Sequence, residues 1–240
     1  KKKIEVFPIV NGLIFIILSL LIIIPMWKVL VDSFDLKTAY GMKLWPEEFG
    51  LAGYISVFKN PTLSHPLMIS VITTIAGTII ALISTFGAYV LIQWDMPGRN
   101  LFANLLLFTM IFQGGMIPTY LVLKSLHLTN TIWVVILFPA LNVYNLVLMR
   151  NFFEGIPASL FESATLDGCT PMQTFIRIVL PMSKAALASI GLMFAVTYWN
   201  DYTHYKLYIT DSNLYNFQMK LRSIIMGSDL PQANGGATEN

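Results

Sequence analysis

Charged side chains are scarce in this sequence. Asp, Glu, Lys and Arg make up 12% of its 240 residues, where an average soluble domain carries about 25%. That is too little to cover a water-soluble surface of this size. The 55% hydrophobic content and a mean hydropathy of +0.66 point to lipid as the solvent. So apolar a chain is not intrinsically disordered. Fifteen basic against 13 acidic residues leave +2, which excludes a large nucleic-acid surface. A single cysteine, Cys169, excludes an intrachain disulfide and a cysteine-built metal site. His65, His127 and His204 lie in separate segments without metal-ligand spacing. No Gly-x-x-x-x-Gly-Lys-Ser/Thr phosphate loop occurs.

What is present is a set of long apolar runs. A bilayer core takes about 20 apolar residues of helix. Five stretches read as spans: 6–27, 67–94, 101–123, 131–149 and 185–200. The first follows Lys1-Lys2-Lys3 and runs into Pro25-Met26-Trp27-Lys28 without a small-residue cleavage site, so it reads as an uncleaved helix rather than a signal peptide. The fifth is short but carries Tyr198, Trp199 and Tyr202 as an interfacial belt. The basic block at the start places the amino terminus in the cytoplasm. Segments 32–66 and 203–240 then fall outside, and 150–184 inside. Small residues at Gly77/Ala81 and Ser84/Ala88, and at Ala185, Ala188 and Ser189, predict close helix packing.

The inside segment 150–184 divides into two short helices. Pro157 suits a first-turn position, and Leu160, Phe161, Ala164 and Thr165 share a face at spacings of three and four. Asp167-Gly168 closes the first helix, with Gly168 placed for a left-handed cap. Thr170, Pro171 and Gln173 form a capping-box signature for the second, and Leu180-Pro181 is expected to end it. Alone, such a pair leaves Leu160, Phe161 and Leu166 exposed; it needs either a partner or the protein's own helix ends.

Glu162-Ser163-Ala164, Gly168 six residues after Glu162, and Ile178 with Leu180-Pro181 resemble the EAA loop of bacterial ABC importer permeases. The surroundings agree: Pro157 before the triplet, Ala-Thr-Leu-Asp-Gly across 164–168, and Tyr198-Trp199-Asn200-Asp201 after the next span. Over residues 7–226 the chain resembles the carbohydrate-uptake branch, relatives of the maltose transporter's smaller permease; 207–211 to Leu221-Arg222 is similar to the subgroup handling complex saccharides. Ser163 departs from the triplet's usual Ala, small for small.

The resemblance implies an all-α integral membrane protein with a type I ABC importer permease fold in the bacterial cytoplasmic membrane. It divides the chain into a tail and first helix (1–31), an external loop (32–66), three membrane helices (67–149), a cytoplasmic coupling loop (150–184), a fifth helix (185–202) and an external segment (203–240). The family's sixth helix is expected to be missing from this piece of a longer chain. It implies a coupling role for Leu160, Phe161, Glu162, Ser163, Ala164, Leu166, Asp167, Gly168 and Pro181. In that role Glu162 meets the ATPase or orients the loop, Ala164 permits close approach, Gly168 makes the turn, and Phe161 and Leu166 anchor. It also implies partners: a second permease, two ABC ATPase subunits and an extracytoplasmic solute-binding protein. The chain itself is expected to hold no cofactor and no catalytic site, ATP and Mg residing on the ATPase.

Polar residues within the spans, Gln113, Asn142, Tyr144, Asn145, Tyr198 and Asn200, are candidates for a saccharide path or for interhelical hydrogen bonds. Gln113-Gly114-Gly115 and Pro118 interrupt the third span. An ion-coupled secondary transporter is the alternative, but its ionisable span residues are lacking. A membrane enzyme needs a convergent acid, base or nucleophile, which is lacking too. The expected cargo is an oligosaccharide or polysaccharide, an acidic polymer such as alginate included.

Overall fold

A computed structural model describes residues 6–37, 44–93, 96–112 and 114–227. Among them the structure is helical, with one isolated antiparallel bridge between Asp35 and Phe49. The chain divides into two compact units, Lys1–Ser64 and His65–Asn240.

In the first unit α1 (Val6–Ser33) is apolar on all sides and carries Pro25 in its interior, which a membrane environment tolerates. Its end is tied to the following segment. The Trp27 indole N–H donates to the Leu44 carbonyl at 3.0 Å, and the Asp35 carboxylate accepts the N–H groups of Lys37, Glu47 and Glu48. Phe34 stacks on Phe49 at 5.3 Å and meets Tyr54 at 5.4 Å. A short helix, α2 (Ala52–Lys59), follows.

In the second unit α3 (Pro61–Thr85) and α4 (Gly87–Ile92) form one long apolar stretch. Then come α5 (Arg99–Ile111), α6 (Met116–Ser125), α7 (Ile132–Leu137) and α8 (Val143–Glu154). Two helices are long and apolar enough to cross a membrane, Val10–Ser33 and Pro61–Ile92; bent pairs bring the number to four at most. Of the five apolar stretches, the third is interrupted between Ile111 and Met116, where the sequence carries Gly114-Gly115 with Pro118 just beyond; the break in the fourth is not expected from the sequence. The third stretch turns by 120° between α5 and α6, where Phe112 is extended and Gly115 has φ +88°. The fourth is divided at 138–142, where Pro139 cannot donate to a helix ladder. The carbonyls freed there are satisfied from other helices: the Tyr198 hydroxyl donates to Ile136 O and the Ser84 hydroxyl to Ala140 O, both at 2.7 Å. The fifth stretch forms α12 (Lys184–Trp199).

The main core joins Ala81, Ala88, Tyr89, Met149, Phe153, Phe175, Val179, Phe194 and Tyr198. Gly77, Ala81 and Ala88 are buried as the small-residue spacing predicts. Ala185, Ala188 and Ser189 are not; they face outward, because α12 turns Ile190, Gly191, Phe194 and Tyr198 to the core. A second cluster gathers Ile69, Leu123, Val134, Tyr205, Tyr208 and Ile209. It seats α13 (Thr203–Tyr208), whose Tyr205 hydroxyl donates to Thr73 Oγ1 at 3.1 Å. Asn130, at φ +58°, accepts the N–H groups of Thr210 and Asp211 on its side-chain oxygen. The last described helix, α14 (Phe217–Ile225), is capped by Asn216.

Candidate coupling surface

The segment after α8 folds as its local chemistry dictates. The helix α9 (Ala158–Leu166) starts with Pro157 as its N-cap, one place earlier than the first-turn position expected, at ψ 130°. At the other end Cys169 N–H donates to Ala164 O (2.9 Å) and Gly168 N–H to Thr165 O (3.0 Å). With Gly168 at φ +75°, this is a Schellman cap. The capping box of α10 (Pro171–Thr174) is complete: Gln173 N–H donates to Thr170 Oγ1, and Thr170 N–H to Gln173 Oε1.

The expected stop at Leu180-Pro181 is corrected. The chain passes through a π-helical turn at Phe175–Val179 into α11 (Leu180–Met182), and breaks only at Ser183, with a 79° bend into α12. The wider turn absorbs a proline, which cannot join an ordinary ladder. Ser183, fully buried, donates its hydroxyl to Val179 O at 2.7 Å.

The pair is clamped to the body of its own unit. The Tyr89 hydroxyl donates to the Pro171 carbonyl at 2.9 Å. The Phe175 ring lies 4.8 Å from Tyr89 and 5.1 Å from Phe86. Ala164 is 3% exposed, and Leu160 and Phe161 pack on the main core. Phe161 is half-buried against this core. Leu166, by contrast, is 89% exposed and Met172 65%. Glu162, Ser163, Asp167 and Gly168 are exposed, as is Pro181 further along. The Glu162 carboxylate meets no hydrogen-bond or ion-pair partner among the described residues.

Beside Glu162 opens a recess of about 540 Å³, lined by Gln93, Arg99, Phe153, Glu154, Phe161 and Glu162 among others. Glu154 is held by Arg150 across one helical turn at 2.9 Å. The reading of the sequence missed Tyr89, Met172 and Arg99. Only Tyr89 carried a signal there, as a polar-tipped ring inside an apolar span.

The path candidates are scattered. Asn142 caps α8 by accepting Asn145 N–H at 3.1 Å, and Asn145 is buried. Tyr198 is buried against α7 through Ile136. The Asn200 amide donates to Val196 O within its own helix end. Tyr144 is 52% exposed. Gln113 lies outside the described residues.

Apolar helices broken by turns, and a helix pair seated on the core with an exposed outer face, fit a membrane transport subunit, the class that a family match shows. The chain belongs to the family described as binding-protein-dependent transport system inner membrane component, which matches residues 51–238. It shares 41% identity over 240 residues with Protein LplC of Bacillus subtilis (strain 168), covering 98% of this chain and 81% of that protein. It is also 41% identical over 214 residues to the polygalacturonan/rhamnogalacturonan transport system permease protein YtcP of the same organism, covering 88% and 75%. A solved bacterial ABC transporter involved in the import of the acidic polysaccharide alginate contains a chain of the same fold. There the TM-score is 0.86 at 28% identity, over 95% of this chain and 82% of that one. The fold is that of an ABC importer permease.

Proposed function

We propose that this chain is the non-catalytic permease of an ATP-driven importer of oligosaccharides from acidic polysaccharides. The observation that carries the coupling role is the two-sided helix pair. Its inner face is fastened to α4 and α8 through Tyr89, Phe175 and Phe161, while its outer face presents Glu162, Leu166 and Met172 unpartnered. A surface that is rigid behind and apolar in front transmits a push. Leu166 and Met172 supply the anchor, Glu162 the polar contact, and Ala164 and Gly168 the shape. The partners are two ABC ATPase subunits that hold ATP and Mg, a second permease and an external solute-binding protein. The amino terminus lies in the cytoplasm and 203–240 outside.

The acidic cargo rests on the two relatives whose printed functions name polymers of acidic sugars. Asn142, Tyr144, Asn145, Tyr198, Asn200 and Gln113 remain path candidates. The side chains of Asn142, Tyr198 and Asn200 bond to the chain's own backbone; Asn142, Tyr144 and Asn200 are exposed, and Asn145 and Tyr198 are buried. The test is co-purification and reconstitution. The ATPase is expected to be retained with the chain, and ATP hydrolysis to rise with the loaded binding protein. A binding protein that prefers amino acids or metals over acidic oligosaccharides overturns the cargo, and normal uptake in Glu162→Lys overturns the coupling role.

A further inference from the structure

Beyond α12 the fold brings two cations onto one ring. The guanidinium carbon of Arg222 lies 4.1 Å from the ring centroid of Tyr202, and Lys206 Nζ lies 5.6 Å from the same centroid. Lys206 follows Tyr202 by one turn of α13. Arg222 arrives on a different helix, and the start of that helix is pinned. Phe217 N–H donates to Ser70 Oγ at 2.9 Å, and the Asn216 amide donates to the Asp201 carbonyl. Tertiary contacts, not chain adjacency, place the second cation.

Nothing among the described residues neutralises the pair. The Asp201 carboxylate is nearly buried and faces His204 Nδ1 at 3.0 Å. Asp211 accepts Asn213 N–H at 2.9 Å. Neither Lys206 nor Arg222 forms an ion pair with a described acidic residue. Attraction to the ring face holds each cation, and with no acidic partner among the described residues their charge is left open to an anion. A guanidinium over an aromatic face keeps its N–H edges open, and these match a carboxylate in a two-point fork; the ammonium adds a point charge. The inner side of α13 is taken up by the stack of His204 on Tyr208, so Tyr202 and Lys206 occupy the side away from it.

We infer that Tyr202, Lys206 and Arg222 form a subsite for the carboxylate of a uronate-type saccharide unit. This rests on the acidic-saccharide reading above and deepens it by naming where the charge is met. An aromatic ring with adjacent cations suits a sugar that has both an apolar C–H face and a carboxylate.

The test measures binding of trigalacturonate and of its methyl ester to the complete transporter in nanodiscs, without binding protein. The wild type is expected to prefer the acid. The double variant Lys206→Gln/Arg222→Gln is expected to lose about tenfold or more in affinity for the acid, the scale of lost charge-assisted hydrogen bonds. Affinity for the ester should stay within about twofold, since it has no charge to pair. Arg222→Lys, which keeps charge without the fork, should fall between. Equal losses for acid and ester, no loss for either, or a wild type indifferent to the charge each overturn the subsite; equal losses point instead to a structural or lipid-anchoring role. Uptake with the binding protein separates the two levels. If the intact transporter imports trigalacturonate while the binding result is negative, only the subsite fails. If it imports no acidic saccharide, the proposed cargo fails with it.

Discussion

Tyr198 lies directly across Gly77: a methyl group at position 77 would meet its ring at 2.6 Å. The same side chain donates its hydroxyl to Ile136 O. One tyrosine thus closes α3 against α12 and repairs the broken ladder after α7. Gly77→Val is expected to destabilise by about 1–3 kcal/mol through overpacking. Tyr198→Phe leaves a buried carbonyl unpaired at a cost of about 1–3 kcal/mol. Thermal unfolding of the purified complex in detergent reads both, and an unchanged midpoint in either variant contradicts the contact.

Leu166 stabilises nothing within its own chain, because it is almost fully exposed. Leu166→Asp should leave thermal stability of the permease untouched. Burying a leucine in a partner's cleft is worth about 1.5–3 kcal/mol, so the variant should bind the ATPase at least about tenfold more weakly. Titrating ATPase subunits against the permease in nanodiscs measures this. Unchanged affinity removes Leu166 from the docking face.

Gly168 holds a left-handed conformation with nothing near its absent side chain. Gly168→Val therefore acts through backbone strain alone, at about 1–2 kcal/mol, and tilts α9 against α10. Substrate-stimulated ATP hydrolysis should fall, and Gly168→Asn, whose residue type tolerates this region, should retain more. Equal behaviour of the two variants would show that the turn geometry is unimportant.

Tyr205 offers a pH prediction. Burial raises its phenol from the usual 10 to about 12, the Asp201 charge adds to this, and the Thr73 hydrogen bond opposes it. The folded state thus favours the protonated phenol. Its contribution to stability is complete below pH 10 and is lost as pH rises toward 12. Tyr205→Phe should flatten that alkaline loss, measured by thermal unfolding across this pH range; an identical alkaline profile contradicts it.

The coupling pair was legible in the sequence because its signals are local. Gly168 and the Thr170/Gln173 box act within four or five residues, and the structure shows both. The helix end at Pro181 was misplaced because a π turn is a response to packing, and no residue pattern announces it. Phe161 and Leu166 carry the same apolar signal in the sequence; that Phe161 is half-buried while Leu166 is exposed depends on the core formed with α4 and α8.

The polar residues of the spans show the same limit. Asn142, Tyr198 and Asn200 look alike in a sequence as costly groups needing partners, but the partner is a backbone carbonyl or N–H exposed by a helix break or end. By itself the sequence determined the solvent, the apolar segments and the capped helix pair, because hydropathy and capping are properties of short windows. Only the tertiary structure decided where the fourth span breaks, which face of the pair is free, and that Arg222 joins Lys206 on Tyr202. Each of those depends on groups distant in the chain competing for the same hydrogen bonds and the same buried surface.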